Sequence, residues 1–561
     1  MCCQRALELD AGHADTLHLM GLLHLQDEQT DFAIEWIARA IRQGSPKPVY
    51  LWSLGAALHK QGRYEEALKT FDKAVQLKPD DADLWRNLGD VLTDLDRPDE
   101  ALLSYQHALK LNPRHWDAAS KSGHLLRRLE RFEEALAHFN LCDELRPNHA
   151  KTLQMRAMTL RGLKRLDESL TDNRRSYELD PADPDTCNNI CDVLVLLGQP
   201  DEGVEWCEKA LELKPDFVSA LTNKAFALTE LHRYDEAFAV YAHLKRTGAN
   251  TPTTDFHLAL LQMLTGDFEA GWAGREARWK ALSPVYPEFP QPMWLGQESI
   301  EDKTILVCAD EGMGDCIQFV RYVPMLAERG ARVILAVADA LIPLLSGVPG
   351  VSQCLSTGAP AFDMHCPMCS LPLAFGTRLD TIPSALSYLP PPPAARRRAW
   401  EDRLGSHDKL RVGLVWSGNP KHTNDHNRSL PVKTLSRILD LDVRFISLQK
   451  DPKAGDSAFL RECTGIVDLT EHLTDFVETA ALVSCLDLVI TVDTSVAHLA
   501  AALGCATWVL LPYTPDYRWL LDRDDSPWYP TMRLFRQSER HDYGIVLDRV
   551  RSELLTLISA K

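Results

Sequence analysis

The sequence predicts an α plus α/β multidomain chain: an N-terminal all-α superhelix of repeated helical hairpins, followed by a pair of Rossmann-like parallel-sheet halves. Three observations carry this reading. Pro79, Pro113, Pro147, Pro181 and Pro215 fall 34 residues apart, a spacing typical of a two-helix repeat. From Lys303 onward short apolar runs alternate with helical patterns, as βα units do. A chain of 561 residues also exceeds what one hydrophobic core organises, so several folding units are required.

The repeat half is justified by two further ladders at the same period. Gly21, Gly55, Gly89 and Gly123 continue in phase as Ala157, Cys191 and Ala225, small residues where paired helices cross closely. Ala33, Ala67, Ala101, Ala135, Ser169, Gly203 and Ala237 form the second. Each proline ends a second helix before the next hairpin begins. These ladders resemble tetratricopeptide (TPR) repeats, and the resemblance covers residues 1–250. The opening MCCQRALELD reads as the second helix of a hairpin whose first helix would lie upstream. Two residues before the small-residue ladder stand Ser53, Asn87, Lys121, Met155, Asn189 and Asn223. In domain order the chain resembles the O-GlcNAc transferase family, whose asparagine ladder holds extended polypeptide acceptors. That resemblance makes Asn87, Asn189 and Asn223 candidate peptide-groove residues, the alternative being ordinary solvated positions.

Residues 251–300, a weakening helix pair at DFHLALLQMLTGDFEAGW followed by the proline-rich SPVYPEFPQPMW, read as a connecting helical and proline-rich segment. The strands TILVCA and ARVILAVA belong to a first α/β half over 301–392. PPPPAARRRAWEDRLG places a linker at 393–409. LRVGLVW, VRFISLQ, LDLVITV and ATWVLL build a second half over 410–561, closed by a C-terminal helix.

Composition excludes several function classes. The net charge of -18 opposes attraction to nucleic acid and anionic lipid. No apolar run reaches the roughly 18 residues of a membrane span, and the opening lacks a signal-peptide pattern, so a cytoplasmic protein is expected. Fourteen scattered cysteines without framework spacing read as free thiols. His365-Cys366-Pro367-Met368-Cys369 offers one CxxC with no second pair, and reads as strand and loop before zinc.

Three loops concentrate chemistry. After TILVCA comes DEGMGD, where Gly312 and Gly314 permit a tight turn, Asp315 stands at a strand's carboxyl end, and Gln318 follows one turn on. The plain alternative makes Asp315 a helix N-cap. After LRVGLVW comes Trp416-Ser417-Gly418-Asn419-Pro420-Lys421-His422, then Asp425 and Arg428. Asn419 supports this loop, while Lys421 and Arg428 suit a diphosphate. After LDLVITV come Asp493, Thr494 and Ser495, then a helix bearing His498. Hydroxyls and free amides at a helix start suit a phosphate; Asp493 suits capping or a sugar hydroxyl.

In that order, EGMGDCIQFVRYVP, WSGNPKH to RSLP, and DTSVAHLAAALG resemble the ADP-heptose:lipopolysaccharide heptosyltransferase family and, more closely, its TPR-fused relatives, in which DSPWYPTMRLFRQ recurs. The resemblance covers residues 300–540 and implies a GT-B fold with the donor in the second half. It gives Asp315 the place of the catalytic base and Arg428 that of a phosphate-binding lysine. Asp493, Thr494 and His498 stand in the donor motif, with Ser495 where the family has glycine. The implied reaction transfers a sugar from a nucleotide-sugar co-substrate, without metal or cofactor, to an acceptor hydroxyl. The leading acceptor is a protein or peptide on the TPR helices; a glycan or lipid-linked saccharide is the alternative, and a scaffold with a degenerate GT-B domain is the non-enzymatic one.

Overall fold

The computed structural model describes residues 10–282, 286–420, 422, 424–453, 455–539 and 541–560. The opening residues 1–9 and the candidate Lys421 lie outside the described residues. The chain forms two compact units, the first ending at Ala227 and the second beginning at Leu228.

The first unit is helical throughout, from Ala14–Gln26 paired with Thr30–Gln43 to Pro184–Leu196 paired with Pro200–Leu213. Aspartates start some first helices by capping: the Asp81 carboxylate accepts from the backbone N–H of Asp83 and Leu84. Each hairpin turn needs one left-handed residue, and this too is periodic: Glu28, Gly62, Asp96, Glu130, Lys164 and Gly198 all have positive φ. The series continues into the second unit with His232 and Gly266. Hairpins therefore outlast the expected limit at residue 250, the last being Pro252–Leu264 with Phe268–Arg275.

Glycine is required where second-helix side chains cross the first helix. A Cβ on Gly55 would lie 2.8 Å from the Phe71 ring, and one on Gly89 would lie 2.6 Å from Tyr105. Gly123 meets Phe139 the same way. In the sixth hairpin the two contact positions carry Cys191 and Cys207, which are joined in a disulfide. The reading of free thiols is corrected there, because the repeat's close crossing brings the two Cα atoms to 5.7 Å.

The second unit contains two parallel sheets. In the first, β1 (Thr304–Cys308), β2 (Arg332–Ala336), β3 (Val351–Leu355) and β4 (Met364–Pro367) lie in the order β3-β2-β1-β4. In the second, β5 (Leu410–Val415), β6 (Val443–Ser447), β7 (Ile466–Val467), β8 (Leu488–Val492), β9 (Thr507–Leu511) and β10 (Met532–Arg536) lie in the order β10-β9-β8-β5-β6-β7. Every strand pair is parallel, with registers such as Val307 opposite Leu335 and Leu414 opposite Ile490. Buried Val, Ile and Leu runs fill the central strands because helices cover both faces of such sheets. The strand order reverses between β1 and β4 in one sheet and between β5 and β8 in the other. Ligand sites in such sheets form at the strands' carboxyl ends beside these reversals.

Two expected connectors are instead core elements. Phe268 and Trp272 are 1% and 2% exposed and pack with Phe319, Tyr517 and Trp528 in the core of the second unit. The segment read as the 393–409 linker contains helix α1 (Ala394–Leu404), whose Trp400 and Leu404 are fully buried against the second sheet. Arg396 pairs with Asp475 and Trp400 donates to Glu478. The apolar pair in an otherwise charged stretch is what seats the helix. His365 to Cys369 forms β4 and a short 3-10 turn. The closing helix α2 (Tyr543–Ala560) buries Val546, Leu547, Val550 and Leu554 in the second half. Among the described residues no helix is long and apolar enough to cross a membrane.

Candidate active site

The loops that follow β1, β5 and β8 meet around a cleft of about 690 Å³. Asp315, Asn419, Arg428, Asp493, Thr494, Ser495 and His498 all line it, with Gly312 and Gly314 at the same wall. Gln318 does not; its side chain is fully buried on the helix Met313–Phe319, and its backbone carbonyl accepts from Arg321.

Asp315 is not the N-cap that the plain alternative proposed. Gly312 occupies that position, and Asp315, three residues on, reaches back to accept from the Gly312 N–H at 3.1 Å. Its other oxygen accepts from Nη2 of Arg518 at 2.6 Å, across from the second half. The two side chains are 15% and 11% exposed. Burial pushes the Asp315 carboxyl up to about 6, while Arg518 pulls the other way. A carboxylate with its proton affinity in that range is matched to general-base work near neutrality.

What Gly314 admits is a helix. A Cβ there would lie 3.0 Å from the His498 ring and 3.5 Å from the Ser495 Cα, so the absent side chain lets helix α3 (Ser495–Ala502) of the second half seat against the Asp315 helix. His498 itself is 2% exposed, bonds through Nδ1 to the Tyr529 hydroxyl at 2.8 Å and stacks on Trp519. Burial first, then Arg518 and Arg321, hold its imidazole well below the usual histidine range. A neutral ring brings no charge to a diphosphate, and the position of His498 joins the two halves.

Thr494 is the N-cap residue of α3, in place of the cap considered for Asp493, and its side chain makes no cap bond. Its hydroxyl lies 3.1 Å from that of Thr491. Early N–H groups of an uncapped helix and its positive dipole end suit an anion. Arg428 stands beside this turn and donates from Nη1 to the Asp493 carbonyl at 3.0 Å. Asp425 organises the Arg428 loop by accepting from Ser429 and Lys453 at 2.7 Å each. Gly418 makes room for the guanidinium, since a Cβ there would fall 2.6 Å from Nη2.

Sequence reasoning missed a buried ionic layer beneath the Asp315 loop. Arg275, from the last hairpin, donates to both oxygens of Glu311; Arg278 donates to Asp310, Glu276 and Ser370. Burial opposes ionisation of Glu311, but Arg275 and Arg278 keep its carboxyl below the ordinary value. Asp310, Glu311 and Cys369 place ligand atoms within 4.8 Å of one another. The two carboxylates already face buried guanidiniums, and burial pushes the Cys369 thiol far up. That donor set is poorly matched to a metal, which needs a thiolate and accessible carboxylates. Arg321 was also missed. It donates to the Trp528 carbonyl at 2.7 Å and the Tyr388 hydroxyl at 3.0 Å, which ties the DSPWYP segment to the first half. Only the recurrence of DSPWYP pointed to these contacts; nothing local marks Arg275, Arg321 or Arg518.

The repeat asparagines serve different ends. Asn87 donates to the Asp83 carbonyl of its own helix, and Asn223 donates to Asn188. Asn189 lines a separate cavity in the first unit.

Residues 447–539 match the family model described as "Glycosyltransferase family 9 (heptosyltransferase)". That stretch holds Asp493 to His498 and Arg518, but neither Asp315 nor Arg428. Tetratricopeptide models match at 55–96, 82–115, 118–149, 184–217 and 206–239. The model for anaphase-promoting complex, cyclosome, subunit 3 matches at 1–74. The chain is 26% identical to Protein FlbA of Caulobacter vibrioides over 393 residues, 64% of this chain and 64% of FlbA. It is 42% identical to Superkiller protein 3 of Saccharomyces cerevisiae over 62 residues, 11% of this chain and 4% of that protein. The chain thus spans less than two thirds of either relative. Among solved structures, a tetratricopeptide repeat protein from Parabacteroides merdae matches at 18% identity and TM-score 0.37, covering 45% of this chain and 99% of that one. YrrB, a TPR protein described as having an unusual peptide-binding site, matches at 23% and 0.29, covering 32% and 93%. What the chain shares with known proteins is a run of TPR repeats and a C-terminal glycosyltransferase family 9 domain.

Proposed function

We propose that the chain is a glycosyltransferase of GT-B arrangement that moves a sugar from a nucleotide-sugar donor to a hydroxyl of a polypeptide held by its TPR helices. One observation carries this reading: a carboxylate poised as a base faces an uncapped helix start and a partly buried arginine across a single cleft, and that helix start lies in the stretch that matches family 9. Asp315 takes the proton from the acceptor hydroxyl as that oxygen bonds to the anomeric carbon. The bond from that carbon to the diphosphate breaks, and the nucleotide leaves with its electron pair. Arg428 and the N–H groups at the start of α3 hold the departing charge, as preorganised donors do in a site screened from water. Asp493 remains the candidate for a sugar or ribose hydroxyl. Arg518 orients the base and opposes its protonation; it is a positioning residue.

The test is to incubate the full chain with UDP-, GDP-, ADP- and CMP-sugars, with and without protein acceptors, and to measure released nucleotide and acceptor mass. Release from one donor, stimulated by a polypeptide, is expected. Transfer to a glycan alone would replace the acceptor assignment, and binding without turnover from any donor would refute the enzyme.

A further inference from the structure

The aromatic ladder that the second, third and fourth hairpins share breaks at the fifth. Second-helix positions Phe71, Tyr105 and Phe139 each place a ring against a glycine of the first helix. The equivalent place in the fifth hairpin is Asn173, and the glycine has become Ala157. A small amide where the ladder has a ring leaves space, and a cavity of about 310 Å³ is found there, lined by Asn173 and by residues of the fourth, fifth and sixth hairpins. This volume far exceeds the ~30 Å³ of one water.

The lining is chemically specific. Asn173 is 1% exposed, yet its carboxamide oxygen has no hydrogen-bond partner. A buried unpaired polar group of this kind is costly. Arg127 and Arg128 also line the cavity, and the buried Nε of Arg127 is unpartnered. Neither arginine has an ion-pair partner among the described residues. The arginines at the hairpin turns differ, since Arg63, Arg97, Arg131 and Arg165 each pair with a glutamate three residues on. Arg161, also at the cavity, is matched by Asp192, and Glu130 offsets one of the two remaining charges. Phe132, Met158 and Val193 supply an apolar wall. A net positive, partly apolar cavity with an amide at its base fits a short aliphatic stem ending in an anion, and the amide can turn to donate.

We propose that this cavity receives the carboxylate side chain of an aspartate or glutamate in a polypeptide lying along the repeats. The inference rests on the reading that the repeats hold a polypeptide, and is independent of the transfer chemistry.

The full chain is used to select binders from a random displayed-peptide library, and a labelled winner is titrated beside its analogue with the acidic residue replaced by the amide. An acidic residue at one fixed position is expected, with the amide analogue binding about tenfold more weakly, the worth of one charge-assisted hydrogen bond. The preference should vanish in R127Q/R128Q. It should also vanish in A157G/N173F, which restores the glycine and ring of the second to fourth hairpins and fills the cavity with equal or higher melting temperature. If the second variant fails to fold, the exposed-side arginine pair decides. No peptide enriched, no acidic preference in the parent chain, or an unchanged preference in R127Q/R128Q overturns the proposal. Nucleotide release measured on the parent chain separates the two readings: no acidic preference with intact release tells against the cavity alone, and an acidic preference in a chain without release tells against the transferase.

Discussion

Glycine does the same physical work in both units, to different ends. In the repeats, Gly55, Gly89 and Gly123 leave out a Cβ so that a ring can cross the helix, and the result is packing. In the α/β unit, Gly314 leaves out a Cβ so that α3 can approach Asp315, and Gly418 does so to admit the Arg428 guanidinium. There the result is the placement of charge. The repeat version recurs every 34 residues; the cleft version has no period, and it lets Gly314 meet a helix of the other half and Gly418 meet a side chain of its own loop. Mutations at the two kinds of position should therefore separate stability from function.

The largest effect is expected at Asp315. Asp315→Asn keeps the shape but cannot accept a proton, so turnover should fall about a hundredfold or more with donor affinity little changed. The Arg518 contact adds a stability cost, because the change leaves a largely buried guanidinium with Asp516 as its nearest remaining carboxylate. About 1–3 kcal/mol is expected, where a helix-capping role alone would cost less. The parent chain should also show an acid limb. Asp315 holds its proton below about 6, so kcat/KM should rise with pH through that value and then level. Turnover of Asp315→Asn near the parent's would remove it from the mechanism and leave His422, which also lines the cleft, as the next candidate.

The second contrast sets Arg428→Ala and Gly418→Ala against Gly89→Ala. Losing Arg428 should weaken nucleotide binding by about 1.5–3 kcal/mol. A methyl on Gly418 meets only the end of a flexible side chain, so melting temperature should hold while nucleotide affinity falls by about fivefold to tenfold as the guanidinium moves. A methyl on Gly89 meets the Tyr105 ring, which is anchored by its hydroxyl bond to Asp90 at 2.8 Å. Overpacking there should cost about 1–3 kcal/mol in stability and leave the nucleotide site untouched. Calorimetric melting beside nucleotide titration checks all three, and a stable Gly89→Ala chain would break the comparison.

The repeat fold was readable because each hairpin states the same local rules again: a proline stop, a small crossing residue and a turn. The break at residue 250 was misplaced because the eighth hairpin keeps the helical pattern but turns Phe268 and Trp272 toward a new core. The three cleft loops were readable as strand-end turns, since glycine and hydroxyl residues after a buried run have few other uses. Arg518, Arg275, Arg321 and Tyr529 were not, because their partners lie from 31 to 207 residues away. That His498 lines the cleft was legible, but not that its ring is neutral, since its charge is set by burial against Trp519 and Tyr529.

The smallest expected effect tests whether the hairpin turns are purely geometric. Glu28 sits at the first hairpin turn with φ of 59°, in the left-handed region where a side chain crowds the backbone, at a cost of about 1–2 kcal/mol. Gly62 and Gly198 occupy the same turn in other hairpins, so the backbone accepts glycine there. Glu28→Gly removes the crowding but gives the unfolded chain more freedom, which takes back about 0.5–1 kcal/mol. The balance is a gain of about 0.5 kcal/mol. Glu28 is exposed, so little packing is lost in exchange. Because a solenoid's stability is a sum over neighbouring repeats, the gain should appear in the melting of the first unit and leave nucleotide release unchanged. A destabilised Glu28→Gly chain would mean that this turn is held by its side chain, and that the repeat's rules are not interchangeable from one hairpin to the next.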